Sequence, residues 1–173
     1  ASIMTHEEYA AAARYWDEKD AGNAKMDPAA LRQAAEAYIL ANNTCALATG
    51  AGTYVRCTPI EYSYHDGCFW MFTEGGKKFI GLEQNPQVCL AIFDKYQGFG
   101  TLHGMQVMGR AEVVEPFSDR YKAHAARKNI PLDYLKRMDP PMHLLCVHPE
   151  QVEFLSSDFK AQGFSNRQRL DLA

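Results

Sequence analysis

The sequence lacks most of the features that identify a function outright. It has no Cys-x-x-Cys pair. Its five cysteines, Cys45, Cys57, Cys68, Cys89 and Cys146, are an odd set at wide spacings. That pattern speaks against a disulfide framework and against a zinc site built from neighbouring residues. Four of them fall in predicted strands among apolar neighbours, so they read as buried, reduced thiols, and no metal is expected. No apolar run approaches the ~18 residues of a membrane span and no secretory leader is visible, so a cytoplasmic protein is expected. Neither charge sign dominates. The net charge is −3, the pI is near 6.1 and the basic residues are scattered, which speaks against nucleic acid or a membrane surface as partner. There is no GxxxxGK[ST] phosphate loop. No Ser/His/Asp or Cys/His pair stands at a recognisable spacing. His65, His103, His124 and the rest are spread out, and His143 and His148, five apart on one predicted strand, face opposite sides.

What is present suits a small folded domain. The chain has 173 residues, 47% of them hydrophobic, enough for a real core and within the size of one domain over 1–173. An N-terminal helical extension occupies about 5–42. Thr5-His6-Glu7-Glu8 is a capping box that opens a helix carrying Tyr9, Ala12, Ala13 and Trp16, a helix placed to cover the barrel or to reach a second subunit. Asp27 caps a second helix, with Pro28 at its first position. Six strands follow, over 44–49, 53–64, 68–73, 87–94, 101–115 and 142–155. Gly50-Ala51-Gly52 turns between the first two strands, Asp66-Gly67 turns the hairpin of the second and third, and Gly104 and Gly109 are candidate bends in the long fifth strand. Helices are predicted from 77 to 85, from Ser118 to about 128, and briefly over 131–138. The tail after 155 is polar, with Phe159 and Phe164 as anchors. This order predicts a mainly β protein with flanking helices, a split antiparallel β-barrel of about six strands.

The most suggestive stretch runs over 55–93. Phe72-Thr73 end a strand, Gly75-Gly76 turn, and Lys77-Lys78 open a short helix that stops before Pro86. A glycine turn feeding a helix N-terminus offers N–H groups to an anion, and two lysines add full charges. On the preceding strand Arg56, Thr58, Ile60 and Tyr62 share a face, so Arg56 has the reach to join the lysines at one phosphate. Solvated lysines and a surface arginine on an edge strand are the plain alternative. The residues alone leave both open.

The motifs Phe72-Thr73, Gly76-Lys77-Lys78, Gln84-Asn85-Pro86-Gln87-Val88, Gly109-Arg110-Ala111 and Pro149-Glu150-Gln151-Val152-Glu153-Phe154, together with Arg56 and Pro59-Ile60, stand in the order and spacing of the pyridoxamine 5'-phosphate oxidase-like family. The likeness covers roughly 44–154. The resemblance implies an FMN-binding split barrel. It implies FMN held by Arg56, Thr58, Pro59, Ile60, Phe72, Thr73, Lys77 and Lys78, with Gln106 as a further contact, and a homodimer whose flavin site lies between the subunits. It also implies that the flavin carries the chemistry, so the expected function is an FMN-dependent oxidoreductase of a small substrate. The alternative is a non-catalytic module for flavin, deazaflavin or haem, with His103 as a candidate axial ligand. Two departures point away from vitamin B6 as substrate. Glu61 stands where the oxidases carry a lysine, and Leu155 and the segment Ser165-Asn166-Arg167-Gln168-Arg169 replace their C-terminal substrate grip.

Overall fold

Side chains alternate inward and outward along eight strands in the computed structural model, which describes residues 3–172. Ala1, Ser2 and Ala173, the ends of the domain expected over 1–173, lie outside the described residues. The strands are β1 (Thr44–Ala51), β2 (Tyr54–Glu61), β3 (Ser63–His65), β4 (Cys68–Thr73), β5 (Gln87–Phe93), β6 (His103–Val114), β7 (His143–Ser156) and β8 (Arg167–Asp171). They form one curled antiparallel sheet in the order β2-β1-β5-β6-β7-β4-β3, with β8 added beside β7. β7 makes the curl possible. Its first half pairs with β4 and its second half with β8, while its other edge follows β6 throughout.

Residues opposite one another on neighbouring strands share a face. Leu47, Leu90, Val107, Val152 and Leu170 are successive register partners across five strands, and all are buried. They form the barrel interior. Helix α2 (Pro28–Ala41), capped by the Asp27 carboxylate, covers that interior with Leu31, Ala35 and Ile39. A leucine or isoleucine side chain taken from water is worth roughly 1.5–3 kcal/mol. β6 bends at one of its two glycines. The register shifts between Met108 and Gly109, where a Cβ would lie 2.6 Å from the His148 carbonyl oxygen, so only glycine fits.

The split-barrel architecture is the one expected, with eight strands in place of about six. One addition comes from a break in the long second strand at Tyr62. Its N–H donates to Asn43 O (2.8 Å) and its hydroxyl donates to Ile39 O (2.6 Å), which pins the chain to the end of α2. The other is β8, in the tail. Its inward residue Gln168 is polar but fully used: its Oε1 accepts from Met26 N–H (3.1 Å), and its Nε2 donates to Ala24 O and Ser165 O. Helix α1 (His6–Asp20) forms with both halves of its capping box, yet buries no side chain. Trp16 lies under the Arg167 guanidinium (4.4 Å), and Asp20 pairs with Arg167, so α1 is tethered to β8 by charge and ring contacts.

A second core lies on the outer face of β4 and β7, under α4 (Asp119–Arg127) and α5 (Leu132–Arg137). Trp70, Tyr121, Ala125, Leu135 and Leu144 are buried there. So is His124, which meets His65 ring to ring, with a 3.1 Å contact between their nitrogens. Burial, then the neighbouring His65, Lys128 and Arg127, pull the His124 imidazole from 6.5 down to about 4. Above pH 6.5 the group is neutral in both folded and unfolded chains. Between 6.5 and 4 only the unfolded chain takes the proton, so stability falls as pH falls through that window, by up to about 3 kcal/mol, and this loss levels off below it. Urea unfolding across pH 4–7 checks this. His124→Gln should flatten the curve, and an equally steep curve in that variant would remove His124 as the cause.

Candidate functional site

The inner face of β2 is set by its pairing with β1. Arg56 lies opposite Thr49, Thr58 opposite Leu47, and Ile60 opposite Cys45, all on the barrel side. β2 is the sheet edge, so its inner face at the Arg56 end is open to the start of α3 (Lys78–Gln84). α3 seats tightly on β1. A Cβ on Gly81 would lie 3.0 Å from Gly50 N, so the helix axis sits as close to the strand as backbone permits. The Tyr54 hydroxyl donates to Lys77 O (3.3 Å) and ties β2 to the same helix start.

The Gly75-Gly76 turn is held from inside. Both glycines have positive φ, 147° and 117°. The Thr73 hydroxyl donates to Gly75 O (3.0 Å) and accepts from Gly75 N–H (3.3 Å). Lys78 folds back so that its ammonium donates to Gly75 O, and the residue is only 5% exposed. A Cβ on Gly76 would come within 3.2 Å of that ammonium. Burial, and then the positive charge of Arg56, lower the Lys78 pKa. Two cations therefore share one corner, and no carboxylate offsets Lys78 among the described residues. Lys77 is exposed beside them. α3 spans only seven residues, about two turns, so the attraction for an anion comes from these side chains more than from a helix dipole.

The structure thus brings Arg56, Thr73, Lys77 and Lys78 to one corner, and Thr58 and Ile60 follow Arg56 along the same inner face of β2. Three other residues of the expected set lie elsewhere in the single chain. Phe72 points to the outer face, against Tyr121 (ring centroids 5.4 Å apart) and His124 (5.1 Å). Pro59 and Gln106 share the outer face too, in a row that runs Pro59, Ala46, Ala91, Gln106, Glu153. Gln106 lines a cleft of about 340 Å³ with Asp17, Asp20, Glu153, Arg167 and Arg169. Sequence reading did not find that cleft, because β8 and the end of α1 build it. Glu61, the departure from the oxidase pattern, faces away from Arg56 and pairs with Lys128, the C-cap of α4 (2.7 Å). His103 is bracketed by carboxylates, Asp94 on Nδ1 (2.9 Å) and Asp158 on Nε2 (3.1 Å), and stacks on Tyr38. Of the five thiols only Cys45 and Cys146 are buried, while Cys57 is exposed.

A split barrel with a cationic corner at its edge defines the class of protein. Solved structures share the fold. A FAD-binding protein from Mesorhizobium loti is 24% identical over 70% of this chain and 89% of its own, with a TM-score of 0.56. ChuZ of Campylobacter jejuni is 14% identical over 85% of this chain and 61% of its own, at 0.63. HutZ, the heme storage protein of Vibrio cholerae, is 16% identical over 69% and 91%, at 0.56. No curated protein matches the chain. The family model for pyridoxamine 5'-phosphate oxidase matches residues 31–156, and the chain belongs to that family.

Thr49 gives a direct test of how this corner is packed. Its buried hydroxyl has no hydrogen-bond partner among the described residues. A buried hydroxyl left unpaired costs about 1–3 kcal/mol. Thr49→Val keeps the shape and removes the orphan, so it should raise stability by about 1 kcal/mol in urea unfolding. A loss of that size would show that the hydroxyl is bonded in solution.

Proposed function

We propose that the chain binds FMN at the Arg56/Lys78 corner and works as an oxidoreductase on a small substrate. The observation that carries this reading is the pair of facing cations, Arg56 and the buried Lys78, with no acidic partner for Lys78. Two positive charges held near one another repel, one of them buried and one exposed, and a phosphate bound between them turns that repulsion into attraction. The residues present fit the group. Arg56 supplies a planar fork for two phosphate oxygens, and Lys77 and Lys78 supply point charges. Thr73 fixes the turn through both polar groups of Gly75, and the missing side chains of Gly75 and Gly76 leave room beside the Lys78 ammonium.

When bound, the flavin supplies the electron or hydride transfer, and the chain's own residues bind and orient it. Pro59 and Gln106 stand on the outer face, away from Arg56, so one chain does not gather the whole expected set. A homodimer joined through the outer face is part of the proposal. That face carries Val55 (80% exposed), Cys57 and Phe93 (67% exposed), an apolar surface suited to a second copy. Glu61 is engaged by Lys128 and the oxidases' C-terminal pattern is missing, which supports a substrate other than vitamin B6.

Haem binding is the second reading, favoured by the likeness of the fold to HutZ. His103, the candidate axial ligand, has both ring nitrogens against carboxylates, which counts against that route.

The absorption spectrum of freshly purified protein, with the released chromophore identified by mass, tests the proposal. The expected result is a yellow protein releasing FMN. Arg56→Ala and Lys77→Ala, both exposed positions, should each weaken FMN binding by roughly 1.5–3 kcal/mol, about tenfold to a hundredfold in Kd. Parental affinity in both variants would refute the phosphate assignment. A Soret band in place of flavin absorption would favour haem.

A further inference from the structure

The outer face of the sheet carries a second cluster, far from Arg56 and Lys78. Trp70 on β4, Cys146 on β7 and Glu112 on β6 are register partners, so their side chains share this face. Cys68 lies two residues before Trp70 and His148 two after Cys146, which puts both on the same side. The Cys68 thiol is 3.4 Å from His148 Nδ1, and the Cys146 thiol is 3.7 Å from His148 Nε2. One donor atom from each of Cys68, Cys146 and His148 lies within 4.8 Å of the other two.

We propose that Cys68, Cys146 and His148 bind a zinc ion. The donor set is chemically right: two thiols and an imidazole suit a borderline-soft, tetrahedral cation. The spacing is also right. Zinc–sulfur and zinc–nitrogen bonds of about 2.3 and 2.0 Å at a tetrahedral centre set the ligand atoms roughly 3.5–3.8 Å apart; Cys68 Sγ and His148 Nδ1 stand at 3.4 Å, and the three donors lie within 4.8 Å of one another, so a small closing movement of Cys146 completes the set.

The surroundings complete the site. His148 Nε2 lies 3.0 Å from Glu112 Oε1, and Arg120 grips both oxygens of Glu112 at 2.8 and 3.0 Å. Arg120 itself rests over the Trp70 ring, 5.2 Å from its centroid. With Nε2–H donating to a fixed carboxylate, Nδ1 is the nitrogen left to face the metal beside Cys68. A carboxylate that orients a ligand histidine is the usual outer layer of zinc sites. The charges balance: a dication meets two thiolates, and Glu112 is neutralised by Arg120. Binding exchanges two S–H bonds for two zinc–sulfur bonds and releases two protons to solvent. Three protein ligands leave a fourth position for water or an incoming donor, on a side where His148 and Glu112 remain about a third exposed.

Cobalt(II) titration of the reduced, chelator-stripped full chain tests this, followed by displacement with zinc(II) and competition against a chromophoric chelator. One equivalent should bind, with a thiolate-to-cobalt charge-transfer band and the strong visible bands of a tetrahedral centre. Cys68→Ser and His148→Gln should weaken zinc binding at least a hundredfold, and Glu112→Gln tenfold to a hundredfold. Cys57→Ser, on a different strand and exposed, should change nothing. Cys68 and His148 are partly exposed, so their variants keep the test decisive even if the fully buried Cys146 tolerates no change, with circular dichroism confirming the fold. Absence of the thiolate band in the parent, or equal zinc affinity in His148→Gln, would overturn the assignment. A chain whose mass shows Cys68 joined to Cys146 by a disulfide even after reduction, and which takes no cobalt, would overturn it too.

Discussion

The ladder between β6 and β7 sets the geometry on which the rest depends. β7 is paired with β6 along almost all of its fourteen residues, and its other edge is divided between β4 and β8. An antiparallel ladder fixes which side chains share a face, and a slip of one residue would exchange the two faces along the whole strand. Here such a slip would move Leu145, Val147 and Val152 out of the barrel and bring Cys146 and His148 in. The Gly109 bulge shows how tightly the register is held, because the His148 carbonyl occupies the space a side chain would need. Both candidate sites depend on this alternation: one uses the inner face at the free β2 edge, the other the outer face of β4, β7 and β6.

Much of this was legible in the residues because local chemistry and tertiary context agreed. Thr5 with Glu8, Asp27 with Pro28, and Asp66-Gly67 announce caps and turns that need no distant partner, and each forms as expected. The Arg56 face was also readable, since period two survives in β2 and the structure keeps Arg56, Thr58 and Ile60 on one side. β8 was hidden because its inward side chain is Gln168, a residue that reads as surface until its three partners are known. The cysteine cluster was hidden for another reason. Its members lie 78 residues apart in the chain, and strand pairing, not local spacing, brings them together. Absence of Cys-x-x-Cys excludes only sites assembled within one turn.

The cationic corner shows a polar group held against its own preference. Lys78 is buried, and burial together with the positive charge of Arg56 lowers its pKa. A corner selected for stability alone would carry an apolar side chain here, since burying a charge without a counter-charge is costly. That cost persists in a fold when something outside the chain repays it on binding, and an anionic ligand is the simplest such partner. By contrast His103, also at the sheet end, is fully matched by Asp94 and Asp158, and it links β5, β6 and the α6 (Ser157–Ala161) turn with no unmet demand.

β4 connects the two sites, with Cys68 at its start on the outer face and Thr73 at its end on the inner one. Five steps of about 3.3 Å put these positions roughly 16 Å apart, a separation at which direct Coulomb interaction is already reduced by distance. The strand between them is buried on both faces by Phe69, Trp70 and Met71, so neither end moves freely with the other. A charge gained at Cys68 acts on Lys78 only across that distance, and mechanical coupling would require displacement of a strand whose core side chains are already close-packed. The sheet thus places the two candidate sites on opposite faces of one strand.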